Sequence, residues 1–318
     1  MSSGDGVFHA IDESGANQTQ LTACDWVFPF NDQVSVFLSA QGGVGLVTMD
    51  SQILWYTTEY VDAKPFRVYG FLPVKKPNGK WGVVDTERNI VVQFQYDDIA
   101  PNTTGSWTQY LFDMAMMRVP VVKDGKYGVI RLSGADRTVI EPKYREIVSD
   151  FVWYRFRDDN GYGWTDENGD VMIPAMYENA GTFGLSNYAN VQIPGEGWAY
   201  IRRDGTYATS ARYADALPFT DYGYAAVKEA DGKYYLIDKD FKKHGEGYDS
   251  VFPLASSERF AVTKGNASAI VEGDGTVVVP FVEGRHYDKV MNGHADNTWL
   301  WKRAAACSSQ GVEEDSRY

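Results

Sequence analysis

One stretch carries the clearest sign of the architecture, Gly79-Lys80-Trp81-Gly82-Val83-Val84-Asp85, together with Tyr96-Asp97-Asp98-Ile99 that follows it. The first pattern combines an aromatic residue, a glycine and a branched apolar run. The second pattern places an apolar residue three positions after a tyrosine. Copies of both patterns return about every 36 residues, and self-similarity at a fixed period is the signature of a repeat protein. The 318 residues are therefore predicted to form one repeat array rather than two unrelated domains.

The aromatic residue of the first pattern defines one column of the repeat. Its eight copies are anchored near residues 8, 44, 81, 127, 162, 198, 234 and 268. One repeat cannot bury such a ring by itself, whereas stacked repeats turn each exposed ring into a shared interior. A glycine beside the ring lets an adjacent sheet approach closely. The rings expected in the repeat core are Trp81, Tyr127, Tyr162, Trp198 and Tyr234.

The tyrosine of the second pattern defines another column. We expect these rings to pack between repeats, because a ring in every copy is typical of a structural repeat. The alternative is a row of tyrosines that stack on a ligand. The column comprises Tyr60, Tyr96, Tyr144, Tyr177, Tyr213, Tyr248 and Tyr287, with Cys24 in the place of the first copy.

The segments between the columns are typical of short antiparallel strands. Polar turns such as Asp166-Glu167-Asn168-Gly169-Asp170 supply the positive φ angles of tight hairpins. A short apolar strand that ends in Pro follows, as in Val171-Met172-Ile173-Pro174. In several copies a strand such as Tyr224-Ala225-Ala226-Val227-Lys228 precedes the aromatic column. Because no run shows an apolar stripe of helical period, the sequence predicts an all-β fold with almost no helix.

This arrangement resembles the WG-repeat family, also described as KWG repeats, whose units contain Gly-Lys-Trp-Gly, a Gly turn and a Tyr-Asp pair. The resemblance covers about residues 7 to 302, and its best copy is the one around Trp81 and Tyr96. We therefore expect a single β domain, residues 1–302, followed by a flexible acidic tail, residues 303–318. WG-repeat proteins share no catalytic residue, so the resemblance implies an architecture and supports a binding function by analogy.

The two ends of the chain complement each other. The first copy, around Phe8, lacks the strand that precedes the aromatic column elsewhere, and residues 298–302 form a last strand with the same apolar-then-Lys ending. Pairing of this C-terminal strand with the N-terminal unit predicts about eight short antiparallel β units closed into a propeller-like toroid, with only short, protected edges. An open β-solenoid is the alternative, and the length of the unit is compatible with three or four strands.

Charge and hydropathy exclude some classes of protein. The chain has 43 acidic and 30 basic residues and a formal net charge of −13, which argues against nucleic-acid binding because phosphate contacts depend on Lys and Arg. No run approaches the roughly 18 apolar residues of a membrane helix, and the first residues lack the basic and apolar regions of a signal peptide. We therefore expect no nucleic-acid partner and no membrane insertion, and we favour the cytoplasm.

Motifs for catalysis or metal binding are missing from the sequence. There is no phosphate-binding loop, zinc-protease motif or nucleophile elbow. The loop from Asp166 to Asp170 imitates the start of a calcium site but lacks its later Gly and Glu. An enzyme with a central channel would need convergent acidic or His residues that the columns do not supply. We therefore predict a protein that is not an enzyme and has no cofactor or metal. Its four histidines are scattered: His9, His244, His286 and His294.

The two cysteines are Cys24 and Cys307. Closure of the ring would bring the terminal regions together and make a disulfide conceivable. Two cysteines in a chain of this length are more often reduced thiols, and that is our expectation.

The segment 101–117 interrupts the repeat and is the best candidate for partner contacts. Apolar loops on a rigid scaffold often contact partners, and Met with aromatic residues suits an adaptable interface. The alternative is a loop that covers one end of the ring. We predict a non-enzymatic protein–protein interaction scaffold or a structural subunit of a larger assembly; the alternative is a lectin-like carbohydrate binder. The candidate contacts are Trp107, Tyr110, Phe112, Met114, Met116 and Met117.

Overall fold

The computed structural model describes residues 7–11, 17–22, 24–28, 34–48, 52–64, 70–99, 117–132, 138–151, 153–254 and 257–284. Within these ranges the chain consists of strands, turns and irregular connections without a helix. The prediction of an all-β fold is therefore confirmed. In the same ranges no helix offers the length and apolar character that a bilayer span requires.

The strands form eight antiparallel sheets that follow one another along the chain. Sheet 1 comprises β1 (Val7–Ile11) and β2 (Asn17–Thr22); sheet 2 comprises β3 (Cys24–Val27), β4 (Val34–Ser39), β5 (Val44–Thr48) and β6 (Ile53–Thr57). Sheet 3 comprises β7 (Asp62–Ala63), β8 (Leu72–Lys75), β9 (Trp81–Val84) and β10 (Ile90–Tyr96). Sheet 4 comprises β11 (Asp98–Ile99), β12 (Arg118–Lys123), β13 (Lys126–Arg131) and β14 (Thr138–Tyr144). Sheet 5 comprises β15 (Glu146–Asp150), β16 (Trp153–Arg157), β17 (Tyr162–Thr165) and β18 (Val171–Tyr177). Sheet 6 comprises β19 (Asn179–Ala180), β20 (Tyr188–Ile193) and β21 (Gly197–Arg202). Sheet 7 comprises β22 (Asp215–Ala216), β23 (Tyr224–Lys228), β24 (Tyr234–Asp238) and β25 (Lys243–Tyr248). Sheet 8 comprises β26 (Ser250–Pro253), β27 (Arg259–Lys264), β28 (Ala267–Glu272) and β29 (Val277–Glu283).

The complete sheets have four strands, and the first strand is often very short. It has only two residues in sheets 3, 4 and 7, so a repeat of modest length can hold four strands. The aromatic column lies on the third strand. The tyrosine column closes the fourth strand, whereas its apolar partner opens the next sheet: Tyr96 ends β10 and Ile99 lies in β11. The second sequence pattern therefore marks the boundary between two sheets.

Consecutive sheets bury their apolar faces against each other. Trp81 and Tyr96 of sheet 3 pack with Ile99 and Val121 of sheet 4, and shared cores of the same kind recur between the following sheets up to sheet 8. The described tyrosines of the second column are at most 7% exposed, which leaves no ring face free to stack on a ligand; Tyr287 lies outside the described residues. The buried rings are Tyr60, Tyr96, Tyr144, Tyr177, Tyr213 and Tyr248.

The glycine beside the aromatic residue makes room for the fourth strand of its own sheet, and not for an adjacent sheet as the sequence suggested. Tyr127 pairs with Tyr144 and Val129 with Ile140, so three residues of β14 lie opposite Gly128 alone. A Cβ atom on Gly128 would lie 2.5 Å from the carbonyl oxygen of Ile140. Sheets 3 and 5 contain the same bulge over their glycines. A bulged strand that crosses this closely excludes any side chain below it.

The fourth strands continue through the proline at which the sequence predicted an end. β18 runs from Val171 through Pro174 to Tyr177, and Pro142 and Pro280 likewise lie inside β14 and β29. The fourth strand is an edge of its sheet. Proline is compatible with this position because an edge strand and a bulge both leave a backbone group without a ladder partner.

Sheets 6 and 7 lack the glycine on the third strand and accommodate the following segment in other ways. Ala199 replaces the glycine in sheet 6, and the chain after β21 returns to that strand only through isolated bridges to Tyr207 and Tyr213. In sheet 7 the bulky Tyr235 takes the glycine's place, and Gly247 on the facing strand supplies the room: a Cβ atom there would lie 3.1 Å from the Tyr235 ring. In sheet 8 Ala269 lies opposite Pro280 and Phe281 of a bulged β29, so a small residue on the third strand can also take the glycine's place.

Ring closure stays a prediction. In the part of the chain that the structure describes, no sheet joins the first unit to the last. Sheet 1 has two strands there, which carry the positions of the third and fourth strands of the repeat. The segment 298–302, which is expected to complete it, lies outside the described residues.

Candidate interaction surfaces

The candidate contacts of the insertion fall between β11 and β12. Met117 precedes β12 in the left-handed region, with φ of 55°, and its side chain packs against the core between sheets 3 and 4. Met117 therefore contributes to packing at the edge of that core. The other candidates, Trp107, Tyr110, Phe112, Met114 and Met116, lie outside the described residues.

Large apolar side chains are exposed mainly on the fourth strands. On β18, Val171, Met172 and Met176 are 52%, 50% and 52% exposed. A large contiguous patch of exposed apolar side chains marks an interaction site, so these strands are candidates for one. Among the described residues, ten of the fourteen exposed large apolar side chains lie on β6, β10, β18 or β29: Ile53, Leu54, Tyr56, Ile90, Val171, Met172, Met176, Val277, Val278 and Val282.

Sequence patterns did not identify the exposed apolar surface of the fourth strands, although one pattern indicates it. In β14, Lys143 directly precedes the buried Tyr144, and in β18 Met176 directly precedes the buried Tyr177. The equivalent position is exposed in both strands. Aligning the repeats on their buried tyrosines would therefore have identified Met176 as an apolar residue that faces solvent.

The backbone of these edges is poorly suited to pairing with another strand. Bulges and prolines protect natural sheet edges from edge-to-edge pairing. Both occur here, in the bulged crossings of β10, β14 and β18 and in Pro142 and Pro174. A partner at this surface would therefore contact the apolar side chains rather than extend a sheet.

Cations lie against three of the five rings of the aromatic column, those of Trp81, Tyr162 and Tyr234. The guanidinium groups of Arg155 and Arg157 lie 5.2 Å and 5.3 Å from the centroid of the Tyr162 ring, and the Lys228 ammonium lies 5.4 Å from that of Tyr234. These are cation–π distances. A sugar that stacked on such a face would have to displace a positive charge, so the geometry gives no support to a lectin-like use of this column.

A buried carboxylate joins sheets 5 and 6. Asp150 at the end of β15 is 1% exposed and accepts hydrogen bonds from the backbone N–H groups of Phe183 at 2.7 Å and Gly184 at 2.9 Å and from Trp164 Nε1 at 3.2 Å. Burial raises the pKa of Asp150, while these donors and the nearby Arg203 charge act against the rise. Because both oxygens are engaged, the carboxylate anchors the loop before β20 and has no free oxygen for a substrate.

Half-buried cations connect neighbouring sheets. Lys64 Nζ donates to Asp98 Oδ1 and to the Ile99 carbonyl oxygen, both at 2.6 Å. Burial lowers the pKa of Lys64, and the Asp98 charge opposes that effect. Between sheets 5 and 6, Arg155 donates in the same way to the Ala180 carbonyl oxygen at 2.5 Å. These contacts fix the spacing of the sheets and are structural.

The residues that imitate a calcium loop form the predicted hairpin turn. Asp166 Oδ1 accepts the backbone N–H groups of Asn168 at 2.8 Å and Asp170 at 2.9 Å, so the carboxylate closes the turn between β17 and β18. Within the described ranges no three His, Cys, Asp or Glu side chains gather as a metal site would need.

Of the described histidine and cysteine side chains, His244 contacts a carboxylate and Cys24 is buried. His244 Nε2 lies 2.7 Å from Asp238 Oδ2 at the edge of sheet 7. Cys24 is a buried thiol whose pKa is raised by burial and by the Asp25 charge. Cys307 lies outside the described residues, so its pairing with Cys24 is untested.

Comparison with known proteins supports the architecture. A family model described as "WG containing repeat" matches residues 81–107, 162–195 and 198–234. A comparison with curated proteins gave no significant match.

Similar solved structures are β-propeller-like proteins. A structure titled as the eukaryotic initiation factor is 12% identical, with a TM-score of 0.50, and the match covers 80% of this chain and 74% of that one. BamB from Moraxella catarrhalis is 15% identical (TM-score 0.39; 87% and 91% covered), and Hsv2p from Kluyveromyces lactis is 6% identical (TM-score 0.40; 80% and 95% covered). At these identities the likeness concerns the fold alone.

Proposed function

The chain carries WG repeats, as the resemblance drawn from its sequence predicted, and from this premise we propose that it is a non-enzymatic scaffold for protein–protein interaction. The observation that carries the proposal is the exposed apolar surface of the fourth strands. Scattered apolar residues occur on every protein surface, but groups of three on single edge strands are unusual and favour a partner. The rigid shared cores behind them hold these side chains in fixed positions.

Comparison between repeats shows that the fold does not require an apolar surface on β18. The position of Met176 is occupied by Lys143 in β14 and by Gln95 in β10, each directly before a buried tyrosine. A lysine is therefore compatible with this place in the sheet. Replacing Met176 tests binding with little effect on folding.

The test is quantitative affinity capture with the double variant Met172→Lys/Met176→Lys. We expect the amount of captured partner to fall at least about tenfold, because the loss of two apolar contacts removes about 1.4 kcal/mol or more of binding free energy. The matched control is Lys143→Glu, which changes the equivalent position of a strand that presents no exposed methionine there. Equal capture by wild type, control and double variant, with equal melting temperatures, would refute the proposal that a partner binds the exposed side chains of β18.

The insertion is a separate candidate surface within the same proposal. Deletion of residues 101–116 leaves β18 and the packed Met117 in place and removes the other aromatic and methionine side chains of that segment. If capture falls with the deletion and not with the β18 variant, the partner binds at the insertion. If neither change matters, the protein is not a scaffold of the kind proposed.

We also propose that the array closes into a ring of eight units. Support comes from the face of sheet 8 that carries Ile270 and Val279. In sheet 4 the paired residues Val129 and Ile140 are 0% and 3% exposed because sheet 5 covers them. Their counterparts in sheet 8, Ile270 and Val279, also pair with each other but are only half-buried. A covering sheet built from the first unit and the C-terminal strand would complete their burial.

A charge at this face tests closure. In a closed ring Val279→Asp would place a carboxylate in an apolar interface and lower the melting temperature as strongly as Ile140→Asp does, because an unpaired buried charge is costly. Deletion of residues 298–302 should give a loss of similar size. A melting temperature unchanged by Val279→Asp and by the deletion, beside a clear loss for Ile140→Asp, would indicate an open array.

A further inference from the structure

A cleft of about 450 Å³ opens between sheets 6 and 7, beside the turn that follows β21. Its volume falls within the range of roughly 300–1,000 Å³ that is typical of small-molecule sites. No sequence motif points to this region, and it is separate from the fourth-strand surface proposed to bind a partner. The lining side chains that matter here are Ser186, Tyr188, Arg202, Arg203, Asp204 and Lys239.

The cleft carries a surplus of positive charge in a strongly acidic protein. Arg202, Arg203 and Lys239 face a single carboxylate, that of Asp204, whereas the whole chain has a net charge of −13. Within the described residues no acidic side chain forms an ion pair with any of the three cations.

The Asp204 carboxylate is hydrogen-bonded within its own turn. Its Oδ1 accepts the Thr206 backbone N–H at 2.9 Å and the Thr206 hydroxyl at 2.6 Å. These hydrogen bonds lower the pKa of Asp204 and keep it in its turn as an anion. Asp150 is a second carboxylate near Arg203, although it does not line the cleft. Three cations beside two carboxylates leave one positive charge in excess.

Arg203 has a donor that the protein does not use. Its guanidinium lies 5.4 Å from the Trp153 ring centroid and 4.9 Å from that of Phe183, and its Nη2 donates to the Gly184 carbonyl oxygen at 3.2 Å. Among the described residues its Nη1 is buried and has no hydrogen-bond partner. A buried charged donor without an acceptor is unfavourable, so an acceptor on a ligand that reached Nη1 would relieve this cost.

Arg202 and Lys239 supply the other two positive charges of the cleft, and both side chains are exposed. Arg202 donates to the carbonyl oxygens of Tyr207 at 2.7 Å and Ala208 at 3.1 Å, which fix its position. The Lys239 stem passes Gly223, where a Cβ atom would come within 2.6 Å of Lys239 Cε. Because Arg202 is already positioned, it would lose little side-chain entropy on binding an anion.

From this arrangement we infer that the cleft binds a phosphate-type anion. A planar arginine fork and a lysine ammonium are the groups that proteins use for phosphate, and the excess of cations over carboxylates favours an anionic ligand. Leu185 directly precedes the lining residue Ser186 and is 57% exposed, so we expect a phosphate carried on a peptide side chain to gain an apolar contact there. A free phosphate ion would use only the cations.

The test is isothermal titration of the full chain with inorganic phosphate and, separately, with a short phosphoserine peptide flanked by leucine, at constant ionic strength. We expect saturable binding of phosphate in both forms. Lys239→Gln should weaken it about tenfold, the usual effect of losing one hydrogen bond to a charged group. Arg203→Lys, which keeps the charge and the long stem but loses the fork, should weaken it by a similar factor.

The matched control is Lys242→Gln, because Lys242 belongs to the same turn after β24 but does not line the cleft. Tighter binding of the peptide identifies a phosphorylated side chain as the ligand, and equal affinities identify the free ion. Two results would overturn the inference. One is the lack of saturable binding of both probes to wild type, and the other is an equal loss for Lys242→Gln and Lys239→Gln, which would indicate unspecific charge attraction.

Discussion

Replacement of Asp150 by asparagine should loosen the junction between sheets 5 and 6 while leaving the rest of the array folded. The carboxylate accepts three hydrogen bonds, from the N–H groups of Phe183 and Gly184 and from Trp164 Nε1. An asparagine of the same shape has one acceptor oxygen and one donor amide. Whichever way the amide is turned, one backbone N–H of the loop faces another donor.

The expected cost is about 2 kcal/mol. A buried donor left without its acceptor costs about 1–3 kcal/mol, and the removal of a carboxylate whose pKa burial raises offsets a part of it. The sign of the pH dependence follows from that raised pKa. Asp150 contributes its linked stability fully below the ordinary value of 3.8 and loses it as the pH rises through the raised value. The difference between wild type and Asp150→Asn should therefore shrink as the pH rises.

Hydrogen exchange is the suitable assay, because a repeat array does not unfold as a single unit. A local loss of about 2 kcal/mol corresponds to roughly thirtyfold faster exchange of the Phe183 and Gly184 amides. The control is Asp158→Asn in the same sheet. Asp158 accepts the backbone N–H of Asn160, and Asn78 does the same for Lys80 in sheet 3. Equal exchange in both variants would show that the Asp150 carboxylate does not hold the loop.

Two further predictions follow from the fold. Gly128→Ala should lower the free energy of unfolding by about 1–3 kcal/mol, the usual cost of forcing extra volume into a packed site, because its Cβ would meet backbone atoms of Ile140 and Pro142; chemical denaturation that matches wild type would contradict the bulge. Acid should destabilise the array, because Lys80 and Lys233 lower the pKa values of Asp97 and Asp249 below 3.8. Stability linked to these carboxylates is present above pH 3.8 and is lost as the pH falls through the lowered values, so the melting temperature should drop in that window, and in Lys80→Gln/Lys233→Gln the drop should be smaller.

The period and the two columns were predictable because ring and glycine identities repeat along the chain. Trp81 and Tyr96 lie on the strands that their patterns indicate, and the strand before the aromatic column is present at Tyr224–Lys228. The first strand was not predictable, because two residues such as Asp98–Ile99 show no periodicity. The role of the glycine was not predictable either. Two residue steps on β13, from Tyr127 to Val129, lie opposite four on β14, from Ile140 to Tyr144, and only the strand register shows this.

The candidate surfaces depend on features that single-chain patterns do not encode. Asp150 ends the mostly buried strand Glu146–Asp150, and the sequence does not show that its partners are backbone groups of a loop in the next sheet. The cleft with Arg203 and Lys239 joins two turns that are distant in sequence. Met176 was within reach of the sequence, because its alternation with Tyr177 places it on the solvent side once the strand is known to continue beyond Pro174.

The way the cores are shared explains why function should reside at the outer edge and in the turns. Each buried column residue packs against two sheets at once, so a change there disturbs both. The exposed positions of the fourth strands belong to no shared core, and the repeats fill one of them with Gln95, Lys143 or Met176 without altering the sheet. Since packing permits all three side chains, packing does not account for a methionine that is half exposed to water. If the chain is the scaffold we propose, a partner that covers Met176 would account for an apolar residue at a place that tolerates lysine, and the fourth strand of sheet 5 is therefore the first place to test for a partner.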